Sequence, residues 1–437
     1  MCYLGKFGIA LLGFGTIGTG VADILINKRE QICKATGKDV ELLRIFDKDI
    51  TTARGIDVPA GVLTDNLDEV YNDMDVRIVI ELLGGVEPVR TILLKFLRCS
   101  KQVVTANKAL LAEHASELFA VARNRYTAIA FEAAVCGGIP IVSALSSSLQ
   151  ANKILSINAI VNGTSNFILS KMEDGGTSYR DALAEAQRLG YAESNPSMDV
   201  DGTDAVQKLS ILAQLGFRTN VDWKEVSRMG IEEVESIDFR FARDLGYKIK
   251  LLAVANRSEG GLELHVAPTL VRLDNPLSGV NDAFNAVRVE GDNVGSVFFQ
   301  GLGAGRKPTA SAVVGDVIDA VLGRTRKTFD ALQLWIPGND ELKIKSVNDF
   351  CGRSYLRFEA ADRPGVMRDF AAVFGKKNIS IASMIQHEID KPDSKKQNAV
   401  IILITHETKE GNLLEAIKEL EKIPSIQGKI VRMRVQD

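Results

Sequence analysis

The chain has 437 residues, 46% of them hydrophobic and 25% charged, with a formal net charge of -3. That supply of apolar residues fills more than one core at the usual ~100 to 200 residues per domain, so two or three domains are expected. The near balance of charge, with no basic block interleaved with aromatics, excludes a nucleic-acid partner and leaves a small molecule as the substrate class.

Cys2, Cys33, Cys99, Cys136 and Cys351 are scattered without a C-x-x-C pair. This speaks against a disulfide framework or a thiolate zinc site and for a reducing, cytoplasmic setting. The apolar start lacks the positive charge of a secretion signal, and no run approaches the ~20 apolar residues that span a bilayer, so no membrane partner is expected.

Residues 7–12 are a continuous apolar run, followed at once by Gly13-Phe14-Gly15-Thr16-Ile17-Gly18 and a helix-like stretch over 21–33. Strand, glycine turn and helix in that order are the opening of a dinucleotide-binding unit. Glycine permits the tight turn, the approach of backbone to a pyrophosphate and close helix packing, while the first helical amides face the anion; residues 13–18 are therefore assigned to a cofactor. Strand-like runs at 40–46, 76–82, 102–105 and 127–131 alternate with helical or loop material, which predicts an α/β Rossmann-type parallel sheet with helices on both faces. At the end of the second run stand Arg44, Asp47 and Lys48, where an adenosine ribose is read. An acid there favours NAD and a cation favours the extra phosphate of NADP, so the preference stays open; solvated strand-end charges are the alternative. Lys108, in TANKALLA, follows the fourth run, beyond the carboxyl edge where ligands of such sheets bind. It is placed to polarise a substrate oxygen, or merely opens a helix at the surface.

The rhythm changes after Pro140. A strand-like run at 154–161 leads through Asn162-Gly163-Thr164 into helix-like segments at 165–172, 179–189 and 203–216, and strand-rich sequence then extends from 249 to 300. Residues 141–306 are read as an α+β substrate and catalytic domain. Residues 307–323, apolar at helical spacing, would return to complete the dinucleotide-binding domain of 1–140. Residues 324–350 read as a linker, and 351–437 follow the βαββαβ order of a small ferredoxin-like domain.

The most informative stretch is GYAESNPSMDVDGTDAVQK, from Gly190 to Lys208. It sets Glu193, Asp199, Asp201 and Asp204 in a glycine-punctuated loop ahead of a helix. Asp204 and Lys208 are one turn apart, on a face that continues to Ile211 and Leu215, so they point toward a core or cleft where charge persists only when partnered. A lysine so placed suits proton exchange with an alcohol oxygen. The plainer reading is a helix capped by Asp201 with an exposed Asp–Lys pair. The four histidines lie away from these motifs, which leaves lysine as the proton carrier of a hydride-transfer enzyme. Gly301, Gly303 and Gly305, in QGLGAGRKPTA, form a second glycine turn, suited either to the nicotinamide half of a cofactor or to plain chain reversal.

With these residues in place, the sequence resembles homoserine dehydrogenases that carry a C-terminal ACT domain. LLGFGTIGTGV, VIELLGG, VVTANKALLA, FEAAVCGGIPI, IVNGTSNFIL, GYAESNPSMDVDGTDAVQKL and GLGAGRKPTA fall in the family's order over nearly the whole chain. The resemblance implies NAD- or NADP-dependent interconversion of L-homoserine and L-aspartate 4-semialdehyde in threonine, methionine and isoleucine biosynthesis, and no fused kinase is expected ahead of Gly13. By the same resemblance Lys208 is the acid/base lysine and Lys108 a second lysine at the reacting oxygen. Glu193 and Asp204 hold the amino and hydroxyl ends of the substrate, with Asp199 in the same cluster; Gly190, Gly303 and Gly305 line the cofactor. Glu132, with main-chain oxygens of Val135, Gly137 and Ile139, resembles a structural sodium or potassium site. One departure is that the family commonly has an Arg-Asp pair at the end of the second strand, whereas here Arg44 is followed by Ile45 and the acid is Asp47.

Asp362-Arg363-Pro364-Gly365 resembles the ligand loop of ACT domains. It implies an amino-acid effector, threonine, feedback inhibition, and pairing of chains into a homodimer or homotetramer. Removing the ACT domain is expected to leave a dehydrogenase. The rival readings are another Rossmann-plus-ACT dehydrogenase of an amino-acid pathway, which would lack the acidic loop before Lys208, and a non-catalytic nucleotide and amino-acid sensor.

Overall fold

In the computed structural model, which describes residues 5–388 and 398–436, the apolar runs of the first third pair side by side as parallel strands. Cys2 lies outside the described residues. The strands β1 (Lys6–Leu12), β2 (Asp39–Phe46), β3 (Leu63–Thr64), β4 (Val76–Glu81), β5 (Gln102–Thr105) and β6 (Ile129–Ala130) lie in the order β3-β2-β1-β4-β5-β6, every neighbour parallel. A sheet covered on both faces needs apolar side chains at successive positions. Accordingly Ile9 and Leu11 pack into one core, while Ala10 and Leu12 pack into the other. Strand order reverses between β1 and β4, so their carboxyl ends open the crevice that ligands of such sheets occupy. The edge strand β3 has only two residues, too few for any apolar run to announce it.

The chain divides into two compact bodies. The first holds this sheet together with Ala205–Val226 and Phe284–Leu342. Its helix Arg306–Val321 packs against the helix Thr16–Asn27, so closely that a Cβ on Gly20 would come within 2.9 Å of the Arg306 side chain. The single helix expected over 21–33 is two, Thr16–Asn27 and Arg29–Thr36, parted at Lys28; the second turns so that the Val40 amide donates to Cys33 Sγ at 3.3 Å. The stretch 324–350, read from its charges as a linker, carries the helix Arg324–Leu332. Phe329 of that helix stacks on Phe119 at 5.1 Å between ring centroids, and Trp335 sits 4.4 Å from the same ring. The surrounding arginines and lysines hide this small apolar face in the sequence.

The second body comprises Asn158–Asp204, Ser227–Ala283 and the described residues beyond 342. A long antiparallel hairpin, Tyr247–Ser258 with Gly261–Arg272, is followed across the sheet by Ile426–Gln436, Cys351–Ala361, Asn398–Thr405 and Ile381–Glu388. The helices Gly163–Gly175 and Ser236–Asp244 pack on the first strand of the hairpin. The C-terminal part has the βαββαβ order and a core of its own around Leu356, Phe358, Phe370, Leu403 and Leu413. It also shares a sheet with the hairpin, because Ile426–Gln436 runs parallel to Gly261–Arg272, from Thr269 opposite Arg434 to Val271 opposite Gln436. Strand pairing of this kind satisfies an edge that would otherwise present unpaired amides. Among the described residues no helix is long and apolar enough to cross a membrane.

Candidate active site

Glycine is required twice in the turn after β1. Gly13 takes φ +96°, and a Cβ there would lie 2.6 Å from the Leu82 carbonyl oxygen; a Cβ on Gly18 would lie 2.0 Å from the Gly13 carbonyl oxygen. The space before Gly15 is different: an added Cβ meets nothing within 4 Å, and Gly15 caps the helix Thr16–Asn27 without a side-chain acceptor. Phe14, Thr16 and Ile17 thus border an open, amide-lined cradle that fits the pyrophosphate of a dinucleotide.

At the end of β2 the charged residues separate. Asp47 accepts the Phe14 amide through Oδ2 at 2.5 Å and the Asp49 amide through Oδ1 at 3.0 Å. Arg44 turns to Asp73, with 3.2 Å between Nη2 and Oδ2, and donates to the Leu43 carbonyl. Asp73 precedes β4, at the edge opposite the glycine turn, so Arg44 is drawn away from the adenosine end and Lys48 stays exposed beside it. Arg54, which the sequence reading overlooked, lies 3.4 Å from Asp49 and 5.8 Å over the Phe14 ring, and its buried Nε has no hydrogen-bond partner. Nothing in the local sequence flags Arg54, because the loop after β2 must fold back to bring it there.

Lys108 opens the helix Lys108–Asn124 at the carboxyl end of β5 and is half-buried. Its approach is fixed by neighbours. Asn107 caps the helix by accepting the Leu110 amide at 3.1 Å and donates to the Gly85 carbonyl at 2.6 Å. Thr105 donates to Glu81, whose other oxygen accepts the amides of Leu83 and Gly84. Burial pushes the Glu81 carboxyl up, and these hydrogen bonds oppose the shift.

In the second body the acidic loop is gathered at the start of the helix Gly163–Gly175. Asn162 Nδ2 donates to Asp199 Oδ1 at 2.8 Å and to Asp204 Oδ2 at 2.7 Å. Asp199 sits in the short helix Ser197–Val200, and Asp204, 5% exposed, opens the helix Thr203–Phe217. Glu193 is exposed on the loop and Gly190, at φ +77°, begins it; neither joins the Asn162 cluster. Lys208 follows Asp204 by one turn of that helix and is half-buried, with Ile211 and Leu215 buried beyond it. Asp201 accepts the Thr203 amide, so the capping expected of it coexists with a buried Asp204.

Two further predicted groups meet in the first body. A Cβ on Gly137 would lie 2.4 Å from the Gly303 carbonyl oxygen, so the 301–305 turn packs directly on the loop after Glu132, and Gly305 opens the helix Arg306–Val321 at φ +118°. Glu132 accepts the amides of Val142 and Ser143, one on each carboxylate oxygen, both at 2.8 Å, and its own amide donates to Asp316 at 2.8 Å. Burial pushes both the Glu132 and Asp316 carboxyls up. Among the described residues no three His, Cys, Asp or Glu side chains are grouped to hold a metal ion. A cation here would rest on carbonyl oxygens such as those of Val135 and Gly137, which suit a hard monovalent ion; the Ile139 carbonyl already accepts the Ile141 amide.

The loop Asp362-Arg363-Pro364-Gly365 lies at the surface between the strand Cys351–Ala361 and the helix Val366–Lys376. Gly365 takes φ +93°, and Asp362 accepts Gln386 Nε2 at 3.1 Å from the strand Ile381–Glu388.

Comparison with known proteins identifies the family. The family profile described as homoserine dehydrogenase matches residues 140–318, its NAD-binding domain matches 13–132, and an ACT domain matches 354–425. The homoserine dehydrogenase of Pseudomonas aeruginosa is 39% identical over 98% of each chain. The crystal structure of a homoserine dehydrogenase from Thiobacillus denitrificans superposes with a TM-score of 0.91 at 38% identity, covering 99% of this chain and 98% of that one. A hyperthermophilic archaeal homoserine dehydrogenase in complex with NADPH matches 72% of this chain and 98% of its own, at 28% identity and a TM-score of 0.61. The chain belongs to the homoserine dehydrogenase family, with the dinucleotide-binding, catalytic and ACT parts all present.

Proposed function

We propose that Lys208 takes the hydroxyl proton of L-homoserine as the substrate is oxidised to L-aspartate 4-semialdehyde, and returns it in the reverse direction. The chain is an NAD(P)-dependent oxidoreductase acting on a CH–OH group. The bound nicotinamide supplies the partner for the hydride of the carbinol carbon. The observation that carries the lysine's role is its place on the helix Thr203–Phe217, half-buried one turn beyond a buried Asp204. A lysine positioned one turn from a carboxylate can exchange a proton with an alcohol oxygen. Lys108 polarises the same oxygen, and Glu193, Asp199 and Asp204 anchor the amino acid.

Cofactor recognition rests on the cradle at Gly13–Gly18 and on Gly190, Gly303 and Gly305. The NADPH complex of the archaeal relative supports NADP, with Arg54 and Lys48 in place of Arg44 as the cations that meet its extra phosphate. A sodium or potassium ion on main-chain oxygens near Gly137 would brace the turn that Glu132 already ties together. The ACT match supports an amino-acid effector, for which threonine at Asp362–Gly365 is our reading, with chains pairing as a homodimer or homotetramer in the cytoplasm. The test is the absorbance of reduced nicotinamide during turnover of homoserine with NAD⁺ or NADP⁺, with and without threonine. Absence of homoserine-dependent reduction with either cofactor would overturn the activity; insensitivity to threonine would overturn the effector.

A further inference from the structure

We infer that Asn162 is the positioning residue of the substrate site, a neutral strut that holds the Asp199 and Asp204 carboxylates at a fixed separation. The inference rests on the reading of those two acids as substrate anchors. Asn162 is buried and its three polar contacts are all made. Its Oδ1 accepts the Ser165 amide at 2.8 Å, capping the helix Gly163–Gly175, and its Nδ2 donates to Asp199 Oδ1 at 2.8 Å and Asp204 Oδ2 at 2.7 Å. The orientation of the amide is forced chemically. A backbone N–H must meet the oxygen end, and ionised carboxylates, which only accept, must meet the NH₂ end.

The neighbouring residues hold the loop by its main chain. Thr164 Oγ1 donates to the Tyr191 carbonyl at 2.6 Å and Ser165 Oγ donates to the Asp199 carbonyl at 2.7 Å. Residues 162, 164 and 165 thus fix the beginning and the end of the acidic loop against the first turn of one helix. That turn carries partial positive charge from its amides, which favours carboxylates beside it.

Neutrality is what separates this arrangement from a salt bridge. Two acceptors of one planar NH₂ group stand about 5 Å apart, because its N–H bonds diverge by roughly 120°. Like charges at that distance repel and raise each other's pKa unless donors stabilise both. A lysine or arginine in place of Asn162 would stabilise them but also cancel their charge. The amide supplies one hydrogen to each acid and adds no charge of its own beside them, so it does not compete with a cationic ammonium or a hydroxyl donor for their charge.

The test compares Asn162→Ser and Asn162→Asp with the wild-type enzyme. Both substitutions retain an oxygen that caps the helix, so folding is preserved, and neither side chain can donate to both acids at once. The Michaelis constant for homoserine is expected to rise about 10- to 100-fold, as for the loss of one or two charge-assisted bonds. The constant for the nicotinamide cofactor should not move. In Asn162→Asp a third carboxylate joins the pair, so the acid limb of the kcat/KM profile should also shift to higher pH. A residue with only a capping role would leave the homoserine constant of Asn162→Ser at the wild-type value. Asp199→Asn and Asp204→Asn separate the layers of the argument. If they raise the homoserine constant while the Asn162 variants do not, the strut is wrong and the anchors stand; if they leave it unchanged, the anchors are wrong and the strut falls with them.

Discussion

The main-chain nitrogen of Phe14 donates to Asp47 Oδ2 at 2.5 Å, so the acid at the end of β2 clamps the glycine turn from below. The bond is partly buried and its acceptor is charged, which places it among the stronger hydrogen bonds, at about 1.5 to 3 kcal/mol. Asp47→Ala is therefore expected to weaken cofactor binding about tenfold or more. Asp47→Asn, which keeps an acceptor for the amide, should lose less. Equilibrium titration with the cofactor alone measures both, and an Asp47→Ala protein that binds as tightly as the wild type would show that the clamp does not organise the cradle.

Lys208→Ala removes the proposed proton carrier and leaves the glycine cradle intact. A positioned general acid/base contributes about 10²- to 10⁴-fold to turnover, so kcat should fall by that factor. The dissociation constant of the cofactor should be unchanged. Near-normal turnover would assign the proton transfer to another group, with Lys108→Ala as the next variant to assay.

The parts of this site that the sequence made legible are those with local signatures. Apolar runs and glycine spacing identify β1, its turn and the following helix, because the chemistry of a tight turn is written into adjacent residues. The acidic loop and Lys208 are visible for the same reason. What stayed hidden depends on chain segments far apart. Asn162 reads only as part of a turn ahead of a helix until Asp199 and Asp204 fold onto it from 37 and 42 residues away. Arg44 looks like the cation of the ribose site, yet Asp73 captures it, and Arg54 reaches the glycine turn only because its loop doubles back. The pairing of Ile426–Gln436 with Gly261–Arg272 has no sequence signal, since an edge strand and a shared strand carry the same apolar pattern.

Lys250 is fully buried in the second body, donating to the Val280 carbonyl at 2.6 Å and to Asn281 Oδ1 at 3.2 Å. Burial lowers its pKa from 10.5 to about 8. Near neutral pH the folded protein therefore holds a proton on a desolvated amine at a cost of roughly 3 kcal/mol, at about 1.4 kcal/mol for each pH unit. Between pH 8 and pH 10.5 the unfolded chain keeps that proton while the folded protein releases it, so this group's contribution to stability rises with pH across the window. Lys250→Met keeps the volume and removes the charge, and Asn166 still donates to the Val280 carbonyl at 3.1 Å. The variant is expected to be at least as stable as the wild type at pH 7, with its advantage shrinking as pH rises toward 10.5. A variant less stable at pH 7 by an amount independent of pH would contradict the account.

Asp238 and Arg357 join the substrate half of the second body to its ACT half. Arg357 Nε donates to Asp238 Oδ1 at 2.8 Å, Tyr355 donates to the same oxygen at 2.7 Å, and the other oxygen accepts the Glu235 amide at 2.9 Å. Asp238 is 0% exposed. Burial works against the Arg357 cation, but the charges of Asp238 and Glu235 outweigh it and hold its pKa above the ordinary value. Removing one member of such a pair strands a charge in the interior, a loss of about 3 to 5 kcal/mol. Arg357→Met should lower the unfolding free energy by that order, and adding Asp238→Asn should recover part of the loss, a coupling that a double-mutant cycle reads directly. The same contact changes what truncation does. Deleting 351–437 removes Arg357 and Tyr355 from Asp238 and uncovers the Gly261–Arg272 edge, so the shortened chain is expected to aggregate instead of surviving as a plain dehydrogenase. Effector control is better probed by Asp362→Ala in the full chain. Additive losses in the cycle, or a truncated chain that stays soluble and cooperative in unfolding, would show that the two halves are joined by less than this buried pair.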